Sequence, residues 1–580
     1  MSKKYEVYRS LDYTLPQISL GWNLYDAGLE NMGKEGKPEA FPVPEPGDDQ
    51  LLVRIDSVGI CFSDIKVIKQ GRHHPKLYNR DMRLEPTRLG HEVSLTVIKA
   101  GKNLEAKYHP GERFAVQPDI FQKGMSAAYG YTVPGGLIQY HLIGKEVFDT
   151  DTGVCLLPLE DEMGYAESSL LEPWGCVMAA YTQRRRLIPL TGGVMWIVGQ
   201  PGGTAEFTFS AGLEKPNTIV LTDVPTSVKA LVKTTKAVII ERDGLAPSDY
   251  AQLNTEITEG HGFDDIVVLN PVSAEAVGQI NRQIARRGTC NLVGTKALDG
   301  LVDVDFGRLH YDYITFLGNK TSDIALSYGE ARNRCELRAG GCTVFIGAGG
   351  PMGQMHVQRA LELPSGPKTI IATEVSDERL ETLSTLFSPL AKKHGKKIFF
   401  FNPMSSKQSF YDFVMEVTAG EGADDVIVSV PVAKLMEEGD TVMKADGMLV
   451  LFAGVPIGTV GKVKLSNVYL SNAQYTGTSG LTINDQALVM QRRMEGTLSP
   501  GRSVAAIGGI ETAAEALQSV MDGRFPGKVV VFPQIEGLPL TGLKDLKDVL
   551  PEVAAKLGDD MMWTNEAEEV LINLLWKTPA

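Results

Sequence analysis

Four segments of this chain recur in the same order a nearly fixed distance downstream, and that repetition limits the fold more than any bulk property does. "WIVGQPGGTAEF" from Trp196 returns as "VFIGAGGPMGQM" from Val344, and "TIVLTDV" from Thr218 returns as "TIIATEV" from Thr369. "GHGFDDIVVLNPV" from Gly260 answers to "GEGADDVIVSVPV" from Gly420, and "GTCNLVG" from Gly288 to "GMLVLFAG" from Gly447. The offsets all lie between 148 and 160 residues. Apolar strands alternate here with helical stretches, the rhythm that builds a parallel sheet covered by helices on both faces. The chain therefore holds two tandem doubly wound units. Ahead of them, residues 50 to 185 read as short strands and turns broken by proline and glycine, a mostly β region.

Composition narrows the partners. With 57 basic against 71 acidic residues the formal net charge is −14, which disfavours nucleic acid and anionic membranes and leaves a small molecule as the expected substrate. No apolar run is long enough to span a bilayer, and "MSKKYEVYRS" has no apolar stretch behind its lysines, so the chain is read as cytoplasmic. Six cysteines, at 61, 155, 176, 290, 335 and 342, form no CxxC pair and no disulfide framework. A cysteine that matters here is a ligand or a nucleophile. Self-association is left open.

Both glycine stretches are read as strand, tight turn and helix. A dinucleotide's pyrophosphate needs glycines for close approach to the helix N-terminus, where free N–H groups and the dipole favour negative charge. Aligned on "GPMG", the second unit offers the turn Ala348, Gly350, Pro351, Met352 and Gly353, with Gly350 and Gly353 at the second and third glycine positions. The first unit has Gln200, Gly202 and Ala205 there, and Glu206 puts a carboxylate in its first turn. Both second strands end in an acid, Asp223 and Glu374, where a carboxylate takes the ribose hydroxyls, which favours NAD over NADP. The second unit is expected to hold one NAD and the first to stay empty, packed against it through the sheet edges.

The β-rich part supplies "GICFSD" with Cys61, "LGHE" with His91 and Glu92, and "LLEPWGC" with Glu172. Thiolate, imidazole and carboxylate together suit zinc with one coordination position left open. These motifs, with "PGERF" and the C-terminal "GKVVV", resemble the zinc-dependent medium-chain dehydrogenases, in their polyol and sugar dehydrogenase branch. "QGRHHPKL", "GYTVPGG" and "EAEEVLINLL" look like the L-sorbose-1-phosphate reductase group. The resemblance implies a GroES-like β-rich catalytic domain over 1–185 and a C-terminal return to it over 486–580; between them the repeats give a first Rossmann unit over 186–335 and a second, NAD-binding unit over 336–485, and this inserted extra unit departs from the family pattern. The resemblance also implies that Cys61, His91 and Glu92 hold one catalytic zinc, with Glu172 as a fourth ligand or as partner of the zinc-bound water. It implies that Ser63 passes the hydroxyl proton toward solvent and that Asp64 fixes the histidine ligand; a plain helix-capping role for Ser63 and Asp64 stands beside it. No cysteine occurs between Phe62 and Val154, so a second, structural zinc is not expected.

Between Lys66 and Arg88 lie nine basic residues, a concentration unusual in an acidic chain. Arg72, His74 and Lys76 are singled out as groups that could take the phosphate of a sugar phosphate, against the plainer reading of a solvated face. The expected activity is hydride transfer between NAD(H) and a polyol, sugar or sugar phosphate. The alternative is a dinucleotide-binding sensor or structural protein of the same fold without turnover.

Overall fold

The structure is a computed structural model that describes residues 4–182 and 185–579. It divides into two compact units: one comprises the chain up to Ala179, Gly350–Met355 and the chain from Gly480 on, the other Ala180–Gly349 and His356–Ser479.

The first unit is built on β1 (Leu51–Ile60), a strand buried at every residue because both of its faces are covered. It pairs antiparallel with β2 (Glu92–Ala100), with Tyr140–Ile143 and with the C-terminal strand Lys528–Phe532; β3 (Arg113–Val116) extends the sheet beyond β2. Between β1 and β2 runs α1 (Phe62–Gln70), and farther along comes α2 (Leu171–Ala179). A polar network crosses this core: Arg54 Nε donates to Asp56 Oδ1 (2.8 Å), Tyr8 Oη to the same oxygen (2.7 Å) and Thr96 Oγ1 to Asp56 Oδ2 (2.6 Å). A buried charge pair is tolerable only when its remaining donors and acceptors are met, as here.

The second unit contains both repeats, and each forms a six-stranded parallel sheet. The first has β4 (Val194–Val198), β5 (Thr218–Thr222), β6 (Val238–Glu241), β7 (Phe263–Leu269), β8 (Ile284–Val293) and, after the excursion β9 (Val302–Asp305), β10 (Thr315–Asn319). The second has β11 (Cys342–Ile346), β12 (Thr369–Thr373), β13 (Lys397–Phe401), β14 (Ala423–Val428), β15 (Met443–Leu451) and, after β16 (Val460–Val463), β17 (Gln474–Gly477). Their strand orders, β6-β5-β4-β7-β8-β10 and β13-β12-β11-β14-β15-β17, are identical doubly wound arrangements. The fold is thus a GroES-like β-rich domain with two tandem Rossmann units.

The two sheets meet around an approximate two-fold axis inside one chain. The excursions β9 and β16 pair antiparallel, Val302 facing Val463 and Val304 facing Gly461, and the 159-residue offset between Gly288 and Gly447 converts one pair into the other. The last strands, β10 and β17, lie beside each other without a backbone ladder between them. A Cβ on Gly318 would sit 2.7 Å from Tyr469 Cβ, and one on its equivalent Gly477 would sit 3.0 Å from the backbone of His310, the equivalent of Tyr469. Such reciprocity is that of an isologous interface. A single apolar core, including Leu309, Phe316, Val468 and Tyr475, runs through the seam.

One expectation fails. No helix follows the first glycine turn: between β4 and β5 the described chain is turn and extended segment only. Instead Thr208 bridges to Asp323, with Thr208 N donating to Ser322 O (2.9 Å) and Ile324 N to Thr208 O (2.9 Å). Phe207 is buried on one side of this segment, and Phe209 stacks against Tyr328. Alternating aromatics after two glycines carry a period of two, which favours extended chain over helix. Among the described residues no helix is long and apolar enough to cross a membrane.

Candidate metal and dinucleotide sites

The metal cluster forms where β1 ends and β2 begins. Cys61 caps α1: Ser63 N approaches its sulfur (3.5 Å) and Cys61 N donates to Asp64 Oδ2 (3.1 Å), a capping box built on thiol and carboxylate. The other oxygen of Asp64 reaches across to the second loop, accepting from Gly90 N (3.2 Å) and lying 3.3 Å from His91 Nδ1. Asp64 is therefore both cap and histidine partner. Burial works against its ionised form, but the adjacent His91 and the hydrogen bonds to His91, Gly90 and Cys61 hold its pKa below the ordinary value. Burial likewise disfavours a charged His91, yet Asp64, with Tyr131 and Cys61, lifts the metal-free imidazole well above its usual range.

One donor atom each from Cys61, His91 and Glu92 falls within 4.8 Å of the others, and this is the one such group among the described residues. The donor set fits zinc in kind, and Glu92 shows a further sign of fit: its Oε2 is buried and meets no hydrogen-bond partner. The other oxygen is held by Lys528 Nζ at 2.5 Å, which also donates to Ile60 O (2.9 Å). Gly59 faces Glu92 across the β1–β2 ladder, and a Cβ there would sit 2.0 Å from Glu92 Oε2.

Glu172, on α2, is buried near this group. Burial, reinforced by Glu92 and Asp119 and opposed by His91 and Lys528, pushes its pKa up to about 7. One turn on, Cys176 Sγ lies 3.8 Å from Glu172 Oε1, and burial with Glu172 raises its thiol well above the ordinary value. Ser63 keeps its hydroxyl out of the capping box.

The basic segment is largely spent on structure. Arg80 donates to the carbonyls of Tyr131 (3.0 Å) and Thr132 (3.3 Å), Arg83 pairs with Asp26 (3.2 Å), and exposed Arg72 donates to Asn79 O (3.2 Å). His74 and Lys76 lie closer to the cluster. The rings of His74 and His91 flank Tyr131 at 5.4 and 5.8 Å, and Lys76 Nζ stands 4.7 Å from the Tyr131 ring while pairing with Asp119 (3.0 Å). Burial, then Lys76 and Lys66, lowers His74 to about 4, so its ring is neutral at pH 7. The sequence reading missed Gly59, Tyr131, Asp119, Cys176 and Lys528. Lys528 stood in the quoted "GKVVV", but nothing local tied it to a residue 436 positions earlier.

In the second Rossmann unit the left-handed turn falls on Gly347 (φ 79°), directly after β11, rather than on Ala348, which is buried with its N–H on Thr373 O (2.9 Å). Helix α3 (Pro351–Glu362) opens with proline at its first position, and Met352 and Gly353 lie in its first turn. Glu374, just past β12, accepts from Gly349 N (3.1 Å), Val375 N (2.9 Å) and Ser376 N (3.1 Å). A Cβ on Gly349 would sit 2.2 Å from that carboxylate, whereas one on Gly350 would meet nothing within 4 Å. Packing thus demands glycine at 349, while the space over 350 is open for a ligand. In the first unit the equivalent acid Asp223 has φ 50° and accepts from Gly244 N (3.0 Å).

Residues 47–149 match the alcohol dehydrogenase GroES-like domain. The chain is 21% identical over 553 residues to mannitol-1-phosphate 5-dehydrogenase of Aliivibrio fischeri, covering 93% of this chain and 95% of that protein. It is 26% identical over 309 residues to L-sorbose 1-phosphate reductase of Klebsiella pneumoniae, covering 48% and 71% respectively, and 40% identical over 82 residues to sorbitol dehydrogenase of Macaca fascicularis, covering 14% and 21%. The chain is thus similar to medium-chain dehydrogenases/reductases, in its GroES-like domain and, at lower identity, over most of its length.

Proposed function

We propose that the chain is a zinc- and NAD-dependent oxidoreductase that interconverts the alcohol and ketone of a polyol, sugar or sugar phosphate. The convergence of Cys61, His91 and Glu92, with one buried Glu92 oxygen that meets no hydrogen-bond partner, carries this reading. Cys61, His91 and Glu92 would hold the zinc, which supplies Lewis-acid polarisation of the substrate oxygen. Asp64 takes the Nδ1 side of His91 and leaves Nε2 for the metal. Lys528 offsets one carboxylate charge and keeps Glu92 in place. Glu172, poised to ionise near pH 7, can hold or release a proton at its carboxylate beside the cluster. The Ser63 hydroxyl would carry the substrate proton outward.

The second Rossmann unit would take the cofactor. Its turn is open over Gly350, it has a helix behind that turn, and its acid Glu374 sits at the strand end where ribose hydroxyls are bound. In the first Rossmann unit no helix follows the glycine turn after β4, so that turn presents no helix N-terminus to a pyrophosphate. Phosphorylated substrates find support in the neutral His74 and the Lys76 ammonium near Tyr131, and in the names of the relatives. The test is metal analysis of chelator-free protein followed by a polyol and sugar-phosphate screen with NAD and NADP. A metal-free preparation that turns over fully removes the zinc mechanism; zinc-loaded protein inert toward every polyol favours a sensor.

A further inference from the structure

Where the two Rossmann sheets meet, a small cavity of about 20 Å³, open to solvent at its mouth, is lined by Arg185, by Tyr313 and Thr315 from the β10 side, by Asn333 from the linker between the repeats, and by Gln474 and Thr476 of β17. All three guanidinium nitrogens of Arg185 are buried and have no hydrogen-bond partner among the described residues. The hydroxyl of Thr476, on the opposite wall, is also buried without a partner. An uncompensated guanidinium beside an orphaned hydroxyl is a costly arrangement in a folded protein, and it marks a place completed by something else.

The surroundings fix the sign of that partner. Arg332 spends its donors on Gly318 O (2.9 Å) and Val468 O (3.0 Å), two carbonyls on opposite sides of the seam, and no carboxylate pairs with it among the described residues. Arg287 lies over the Tyr313 ring at 4.8 Å, again without a carboxylate partner. Burial, then the like charge of Arg332, lowers Arg185 to about 10 against the weaker opposing pull of Glu330 and Cys335, neither of which hydrogen-bonds it, and this still leaves it protonated at pH 7. Arg185 is thus the one guanidinium among the residues that line the cavity, with Arg332 near it and Arg287 on the far side of Tyr313, in a chain whose net charge is −14. The planar fork of arginine matches the oxygens of a tetrahedral oxyanion, and a threonine hydroxyl can complete its shell.

We propose that this cavity is an anion site that takes a phosphate group through Arg185 and Thr476, and that the bound group ties β10 to β17 and so locks the two Rossmann units together. The site is separate from the metal cluster and from the glycine turn, and it does not depend on catalytic activity.

The test uses the full chain without NAD, in a phosphate- and sulfate-free buffer, with inorganic phosphate and, separately, a hexitol phosphate as probes. At ten times Kd, phosphate should raise Tm by about 1–2 °C and slow amide exchange in segments 313–316 and 474–477. Arg185→Met should lose that protection, and its stability should cross that of the parent: equal or higher without anion, because an unpaired buried charge is gone, and lower with it. Thr476→Val serves if Arg185→Met does not fold, and should weaken binding several-fold. Protection by both probes identifies the free ion as a sufficient ligand, and protection by the hexitol phosphate alone identifies an ester; both support the site. Unchanged exchange at the seam with either probe, or protection that persists in full in Arg185→Met and Thr476→Val, overturns it.

Discussion

Asp64 shows how much one side chain can organise. Its two oxygens cap α1 under Cys61 and fasten the Gly90–His91 loop, so the loops that carry Cys61 and His91 hang on the same carboxylate. Cys61→Ser or His91→Ala should abolish zinc binding and activity while leaving the circular dichroism spectrum intact, since each removes a donor and neither carries the core. Retention of one zinc per chain in either variant would contradict the assignment. Gly59→Ala is a sharper probe because it touches no ligand: its Cβ would press on Glu92 Oε2. Zinc affinity should fall about 10- to 100-fold, measured by competition with a chelator.

At the level of the element, α3 and the strand before it hold two testable balances. Glu374 is at once a ribose acceptor in the proposal and the acceptor for Gly349, Val375 and Ser376 N–H groups. Replacing it by serine, with Val375→Arg alongside, should move cofactor preference from NAD toward NADP, read as the ratio of kcat/KM values. It should also cost about 1–3 kcal/mol in urea unfolding, because Gly349 N–H loses its partner in a buried turn. His356, buried on α3, shares a hydrogen bond with Tyr181 Oη (Nδ1 to Oη 2.7 Å), and burial with nearby Arg359 lowers it to about 3. Unfolded, it would titrate near 6.5. The unfolded chain thus binds the extra proton first, so the stability from neutral His356 is complete above pH 6.5 and is lost as pH falls toward 3. His356→Leu should flatten the acid limb of a stability–pH curve by about 1.4 kcal/mol per pH unit between 6 and 4; an unchanged slope would count against a neutral imidazole.

For the whole molecule, the repeat has become an interface with itself. An exposed sheet edge invites foreign pairing, and the tandem unit covers the edges at β10 and β17 and joins β9 to β16. The first unit therefore has a use that needs no cofactor, consistent with its missing helix. Calorimetric titration should find one NAD per chain, and a second equivalent site would overturn the assignment. Gly477→Val should destabilise the seam by several kcal/mol, since its Cβ would lie 2.9 Å from Leu309 O and 3.0 Å from His310 Cα. Amide exchange should speed up on both sides of the seam; acceleration confined to β17 would show that the sheets do not support each other.

The amino-acid sequence by itself determined the elements and their order, because apolar period, glycine turns and strand-end acids are local signals. The repeat offsets revealed two parallel sheets, and "GICFSD", "GHE" and "LLEPWGC" marked Cys61, His91, Glu92 and Glu172 before any distance was known. What tertiary structure alone decided depended on contacts between distant segments. The segment after the first glycine turn, whose alternating aromatics favour extended chain, found its pairing partners only in Ser322 and Ile324, across the unit from Thr208. Most of the basic segment became loop fastening rather than ligand surface because backbone carbonyls and Asp26 lay within its reach. Lys528 met Glu92, and Arg185 was left facing a cavity, through packing of strands hundreds of residues apart, where burial rather than sequence spacing sets the cost of each charge.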